Sequence, residues 1–240
     1  MDNNIPLDKI IARCDEFFNS GDTAGLGEHL RSWLAEAEKK GDLAAVLSIL
    51  NELAGHYRMS GCRTRGMETV DRIIHLTALP QFRNTASTGT ILINAATALH
   101  SFGEISRALE LYLEAYRCYE VNLEENDPRF AGLFNNMASV YAAMNDPETA
   151  EAYYLAALDI LHSAGNIMDT AVTHVNIAQL GFEQELQLEN AWNCFNSPSA
   201  VRDGYYAHTA LKCAPAFREM GHISRADELE KRAKEIYERH

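Results

Sequence analysis

The run Leu92-Ile93-Asn94-Ala95-Ala96-Thr97-Ala98-Leu99, followed by Phe102-Gly103-Glu104 and then Ala108, Tyr112 and Ala115-Tyr116, is written twice in this chain. The second copy reads Phe134-Asn135-Asn136-Met137-Ala138-Ser139-Val140-Tyr141, then Met144-Asn145-Asp146, then Ala150, Tyr154 and Ala157-Leu158. Asn94 becomes Asn136, Ala96 becomes Ala138, Leu99 becomes Tyr141, Ala108 becomes Ala150 and Tyr112 becomes Tyr154, each by a step of 42 residues. A fixed period of that size is the mark of one supersecondary unit stacked on itself, a solenoid.

Each copy predicts a helix, a tight turn and an antiparallel helix. Ala96 and Ala108, and Ala138 and Ala150, are small where two helices must approach closely, and Leu99, Tyr112, Tyr141 and Tyr154 fill the space beside them. Gly103 and Asn145 fall at the turn, where a left-handed backbone is needed and Gly or Asn tolerates it best. This pattern resembles the tetratricopeptide repeat, whose usual unit is about 34 residues. The longer step and the Asn-Asn-Met-Ala run resemble the kinesin-light-chain group and the bacterial peptide-pheromone receptors of the Rap type. The resemblance covers 43–240, and 85–165 best. It implies an all-α, right-handed superhelix of about six hairpins, with the first helix of each hairpin on the concave face.

The register extends outward from the central pair. Leu50-Asn51-Glu52-Leu53-Ala54 and Gly61 stand 42 residues before Leu92-Ile93-Asn94-Ala95-Ala96 and Gly103, so a hairpin is predicted over Leu43–Ser60 and Arg63–Leu79, stopped by Pro80. Its second helix carries Gly66 where the pattern has Ala and Val70 where it has an aromatic. Before it, Leu7, Ile10, Ile11, Cys14, Phe17 and Phe18 form a helical stripe, and a second helix follows over Thr23–Lys40, so residues 1–42 read as a divergent N-terminal hairpin. Repeats then run over 43–201. Asp127-Pro128 and Asp146-Pro147 are helix starts. Val175-Asn176-Ile177-Ala178 restates the first-helix motif, but Asn196-Ser197-Pro198-Ser199 interrupts the second helix of that fifth hairpin, predicting a short helix and a loop. Residues 202–240 read as a last repeat and capping helix, with Ala214, Phe217, Gly221, Ala226 and Ala233 in pattern and Pro215 expected to kink its first helix. The whole, 1–240, reads as one solenoid domain.

Composition narrows the function. With 21 Lys and Arg against 34 Asp and Glu, the net charge is −13. That argues against nucleic acid, where a basic face supplies most of the affinity, and against anionic membrane surfaces. No apolar run is long enough to span a bilayer, and Met1-Asp2-Asn3-Asn4 lacks a signal peptide's basic and apolar regions. Five scattered cysteines without a Cys-x-x-Cys pair predict reduced thiols and a cytoplasmic protein. Gly25-Leu26-Gly27 follows no strand and is no nucleotide loop. Glu52 and His56, four residues apart on one helix, have no second pair to complete a metal site. Neither cofactor nor metal is expected. His100, His174 and His208 lie on first helices with no nucleophile or carboxylate placed beside them by spacing, so no catalytic residue is assigned.

The stretch Thr85–Phe102 contains no Asp, Glu, Lys or Arg, whereas Glu104–Glu125 carries eight charged residues. The neutral helix therefore faces neighbours or a groove, and the charged one faces water. By the resemblance, groove contacts come from set positions on the first helices. Carried over, these are Asn51, Gly55 and Arg58 in the second hairpin, Ile93, Asn94, Thr97 and His100 in the third, Asn135, Asn136 and Ser139 in the fourth, and Val175, Asn176, Gln179 and Phe182 in the fifth; the polar ones, Asn51 and Arg58 among them, are the expected peptide contacts. The last hairpin offers His208, Leu211 and Arg218. Asn94, Asn136 and Asn176 are equivalent, and an amide both donates and accepts, so such a ladder suits a peptide main chain. The same amides would also serve to hold neighbouring helices in place, and the sequence leaves both roles open. The function expected is a non-catalytic scaffold taking a protein or peptide ligand in the groove. The alternative is a sensor of a short signalling peptide acting in trans on a separate effector, since about 40 residues precede the clear repeats. Self-association into a homo-oligomer is compatible with either.

Overall fold

Helices begin where a short polar side chain can catch the free N–H groups of the first turn. Asp42 accepts from Ala45 N at 3.0 Å, Asp146 from Thr149 N at 3.2 Å and Asp203 from Tyr206 N at 2.9 Å. They end where the chain reverses: Gly103 has φ +82° and Asn145 φ +62°, so both turn positions of the two clearest repeats adopt the left-handed backbone expected of them. The computed structural model describes residues 5–238. The outermost ends of the expected first hairpin and capping helix, 1–4 and 239–240, lie outside the described residues. Among the described residues there are twelve helices in six antiparallel pairs and no strand. The chain divides into two compact units, Met1–Glu124 and Glu125–His240.

The first unit holds α1 (Leu7–Ser20), α2 (Thr23–Lys40), α3 (Leu43–Met59), α4 (Arg63–Thr77), α5 (Ala86–Ser101) and α6 (Ile105–Asn122). Helix α3 is its centre and packs on α2, α4 and α5. Val46, Ile49, Leu50, Leu53 and Ala54 are buried on it, joined by Ile73, Leu92, Ala96, Leu99, Ala108 and Tyr112 from α4, α5 and α6. Gly25-Leu26-Gly27 lies within α2 and forms no loop. Gly27 is small because His56 of α3 sits against it: a Cβ there would lie 2.7 Å from Nε2. Gly66 departs from the repeat pattern for a similar reason, since a Cβ would lie 2.4 Å from the Phe102 ring, which occupies the space an alanine methyl would take. Helix α4 ends at Thr77, three residues before Pro80, with the Thr77 hydroxyl turned back onto Ile73 O at 2.9 Å. On the water side, Arg107 of α6 pairs with Asp71 of α4 at 2.5 Å and Arg72 of α4 pairs with Glu38 of α2. These pairs are exposed and worth little each.

The second unit holds α7 (Arg129–Ala143), α8 (Pro147–Ala164), α9 (Ile167–Leu180), α10 (Gln184–Asn196), α11 (Gly204–Glu219) and α12 (Ile223–Tyr237). Here α9 is central, touching α7, α8, α10 and α11. Ala138 and Ala150 are fully buried at the α7–α8 crossing. Tyr154 is buried, while Tyr141 is half-buried and stacks on Tyr153 with centroids 5.4 Å apart. The fifth hairpin is interrupted as the sequence predicts: α10 stops at Asn196 after 13 residues, against 18 in α8. Its open end is closed by side chains. Tyr206 Oη donates to Phe195 O at 3.1 Å, and Arg232 Nη1 donates to Tyr206 Oη at 3.1 Å while its guanidinium lies over Trp192 at 5.2 Å. Helix α11 runs on past Pro215 to Glu219; the proline faces solvent, so the carbonyl it leaves without an N–H partner can be hydrated.

Candidate functional site

In the first unit the candidate residues are largely spent on each other and on the core. Asn94 Nδ2 donates to Asn51 Oδ1 at 2.9 Å, tying α5 to α3, and Asn51 Nδ2 donates to Glu52 Oε1 at 3.1 Å. Thr97 Oγ1 donates to Ile93 O at 2.8 Å and shares a hydrogen with Tyr112 Oη at 2.9 Å, tying α5 to α6. Burial pushes the Tyr112 phenol up to about 12, against the opposing pull of the Thr97 bond and of the nearby Arg58 charge. His100 is half-buried, and loss of hydration holds its pKa below the usual histidine value. Arg58 is exposed at the end of α3.

The second unit differs. Five of its candidates, Asn135, Asn136, Ser139, Asn176 and Gln179, line one cleft of about 660 Å³ formed by α7, α8, α9 and α11, whereas His208 and Leu211 are exposed on α11 away from its lining. Asn135 is tied internally: its Oδ1 accepts from Thr173 Oγ1 at 3.0 Å and its Nδ2 donates to Ala131 O at 3.2 Å, joining α7 to α9. Asn136 and Asn176 are half-buried and, among the described residues, have no side-chain partner. Gly132, Ala142 and Val172 line the same cleft.

Two charged residues line the cleft, and neither is among the expected site residues. Asp169 begins α9, and both of its oxygens are occupied: Oδ1 accepts from Tyr205 Oη, and Oδ2 accepts from Asn166 Nδ2 at 2.6 Å. Burial first, then the Asp169 bond, raise the Tyr205 phenol well above its ordinary value. Lys212 projects from α11, exposed, with no carboxylate paired to it among the described residues. A signal for it was present in the sequence. Ala96, Ala138, Ala178 and Ala214 are the small buried residues of successive first helices, and the residues two positions earlier are Asn94, Asn136, Asn176 and Lys212. Lys212 thus stands in register with the asparagines, one residue beyond the expected Leu211. Arg218, also expected, is instead clasped by Asp227 and Glu230 of α12 at 2.8 Å each.

His174 lies elsewhere, in the wall of a separate pocket of about 520 Å³ with His162 and Cys194. Its Nδ1–H donates to Gln187 Oε1 at 2.6 Å, and burial lowers its pKa. Among the described residues no group of three or more His, Cys, Asp and Glu is placed to hold a metal, and no helix is long and apolar enough to cross a membrane. The cysteines are all free; Cys14, Cys118 and Cys213 are buried, and burial pushes Cys213 up to about 12.

The repeat geometry and the sequence agree on the class. A tetratricopeptide-repeat model matches residues 88–129 and 130–163, the two copies of the 42-residue pattern. No curated protein sequence matches the chain. Solved structures similar to it share its helical-hairpin fold. The apo form of RapI is 13% identical, with a TM-score of 0.72 over 97% of this chain and 83% of its own. A putative kinesin light chain with TPR-like repeats from Podosopora anserina is 16% identical, with a TM-score of 0.55 over 78% and 93%. The Rap conjugation gene regulator of plasmid pLS20, solved with the Phr* peptide, is 10% identical, with a TM-score of 0.66 over all of this chain and 64% of its own. The chain is thus an all-α protein of tetratricopeptide-like hairpins, similar to both groups its sequence resembles.

Proposed function

We propose that this protein is a non-catalytic peptide-binding module and that the α7–α9–α11 cleft is its site. The observation that carries the reading is the pair Asn136 and Asn176: two amides in register on adjacent helices, open to a cleft and, among the described residues, without a side-chain partner. A half-buried amide open to water loses little by exchanging it for the N–H and C=O of an extended peptide, and it holds the main chain without selecting side chains. Ser139 and Gln179 add hydroxyl and amide partners on the same walls. Thr97, Asn94 and Asn135 serve instead to hold helices together. A second reading, a sensor of a short signalling peptide acting on a separate effector, is favoured by the Phr* peptide bound to the similar Rap regulator.

The test is selection from a soluble random hexapeptide library, followed by calorimetric titration of the enriched peptides. The wild type is expected to enrich a subset, and Asn136→Ala with Asn176→Ala to weaken it at least tenfold while leaving the unfolding midpoint unchanged. Enrichment that survives the double substitution would place binding elsewhere on the protein.

A further inference from the structure

We infer that the pocket of about 520 Å³ between α8, α9 and α10 is a second binding site, which takes an uncharged aromatic ring bearing a hydroxyl or N–H and holds that group on His174 Nε2. The site is separate from the peptide cleft and lies on the other face of α9. The cleft takes Asp169, Val172 and Asn176 from that helix, and the pocket takes Ile167, Thr170 and His174, each two residues earlier. Two residues are about 200° around a helix. Two departures from the repeat accompany the pocket. Four residues before the buried alanines Ala54, Ala96, Ala138 and Ala178 stand Leu50, Leu92, Phe134 and His174. Three residues after Ala108, Ala150 and Ala191 stand Leu111, Tyr153 and Cys194. Leu92 and Leu111 are buried in the third hairpin, and in the fourth Phe134 and Tyr153 stand ring to ring with centroids 5.9 Å apart. In the fifth hairpin an imidazole replaces the first ring and a thiol the second, and both line open space.

The imidazole is the anchor. His174 is only 8% exposed, at a position that is apolar in the other three repeats. Burying a polar ring there costs free energy unless its nitrogens are served. Nδ1–H donates to Gln187 Oε1 at 2.6 Å, so the neutral ring presents Nε2 as an acceptor. Nε2 has no partner among the described residues, and none of their enclosed side-chain nitrogens is left unpaired, so Nε2 opens onto the pocket that its ring lines. A brace between α9 and α10 uses Nδ1 alone; the second nitrogen calls for a donor. No Asp, Glu, Lys or Arg lines the pocket, so a charged ligand would find no countercharge there. Leu161 and Ile167 supply apolar wall, and the His162 and His174 rings, with centroids 6.2 Å apart, supply aromatic surface. Phenols and indoles match this lining, being flat apolar bodies with a single donor that needs a partner when buried. The ring is either a free small molecule or the Tyr or Trp side chain of a partner.

The test is an NMR titration of the whole chain, labelled with nitrogen-15 in its imidazoles, with 4-ethylphenol and with 4-ethylanisole, in which a methyl replaces the hydroxyl proton. The wild type is expected to bind the phenol about tenfold more tightly than the ether, with the His174 Nε2 resonance moving and Nδ1 remaining protonated. Cys194→Tyr writes the fourth hairpin's residue into the fifth and leaves the His174–Gln187 pair in place; it is expected to weaken phenol binding about tenfold. His174→Phe with Gln187→Leu removes the anchor and its partner together and is expected to bring the phenol-to-ether ratio close to one. Equal binding of phenol and ether by the wild type, a proton on Nε2 of the free protein, phenol binding that survives Cys194→Tyr, or no phenol binding at all overturns the proposal. So does loss of phenol binding in Asn136→Ala with Asn176→Ala, which would move the probe to the cleft. A third probe, acetyl-Gly-Tyr-Gly-amide, separates the sources: tighter binding than 4-ethylphenol marks the ring as a partner's side chain, and weaker binding marks it as a free small molecule, the site standing in either case.

Discussion

Asn94 in the first unit and Asn136 in the second occupy one repeat position, 42 residues apart, yet they do different work. Asn94 reaches Asn51 on the neighbouring first helix and is satisfied there. In the second unit that joining task falls to Asn135, one residue earlier, which takes the hydroxyl of Thr173 across the α7–α9 contact. Asn136 is thereby released to the cleft. A hydrogen-bonding side chain in a repeat is assigned its role by what the adjacent helix offers, and one residue of difference decides whether it braces the array or faces a ligand. The same contrast appears in packing. The second unit uses Ala150 where the first, at its α4 position, uses Gly66 to admit the Phe102 ring.

The strongest perturbation of this comparison is at the helix crossings. Ala138→Leu adds three carbons at a fully buried contact and is expected to cost about 1–3 kcal/mol. Gly66→Ala should cost less. Its methyl displaces a half-buried Phe102 ring that can swing aside, and replacing Gly within a helix returns up to about 1 kcal/mol. The chain's two tryptophans, Trp33 and Trp192, fall one in each unit, so single-tryptophan variants, the other replaced by Phe, read the urea transition from each unit in turn. An unchanged Trp192 midpoint in Ala138→Leu would show that the α7–α8 crossing is looser than its burial implies.

Next in size is the asparagine contrast itself. Asn135→Ala removes a bond to the fully buried Thr173 and should destabilise the second unit by about 1 kcal/mol. Asn94→Ala breaks a solvent-exposed bond and should cost about 0.5 kcal/mol in the first unit, with no effect on peptide affinity. Asn136→Ala should leave both midpoints where they are. If Asn136→Ala destabilises as much as Asn135→Ala, the two neighbours share the bracing role and the contrast between units is lost.

Acid should distinguish the units more weakly. His56 and His100 in the first unit and His174 in the second all have pKa values lowered chiefly by burial. For a group whose folded pKa is depressed, the unfolded chain binds the extra proton, so the stability held by neutral histidine is complete above the unfolded value of about 6.5 and is lost as pH falls below it toward the folded values. Between pH 7.5 and pH 5.5 both midpoints should therefore fall, that of Trp33 more than that of Trp192, because two such histidines lie in the first unit and one in the second. A larger fall at Trp192 would show that protonation of His174 beside His162 outweighs the first unit's pair.

The sequence by itself determined the elements and their order. The 42-residue step, the alanines at the crossings, the left-handed Gly103 and Asn145 and the Asp caps are local or periodic features, so the helix pairs could be read to within a residue or two, including the early end of α10. It also determined which positions are equivalent, and counting back from Ala214 would have added Lys212 to the row. What the tertiary structure alone decided is which polar atoms are already satisfied. Whether Thr97 faces Tyr112, Asn135 faces Thr173, Arg218 faces Asp227 and Glu230, or Asp169 is capped by Tyr205, depends on side chains 9 to 38 residues away along the chain but adjacent in space. Hydrogen bonds are directional and short, so a register that places a helix face correctly still cannot say which donor on the next helix comes within 3 Å.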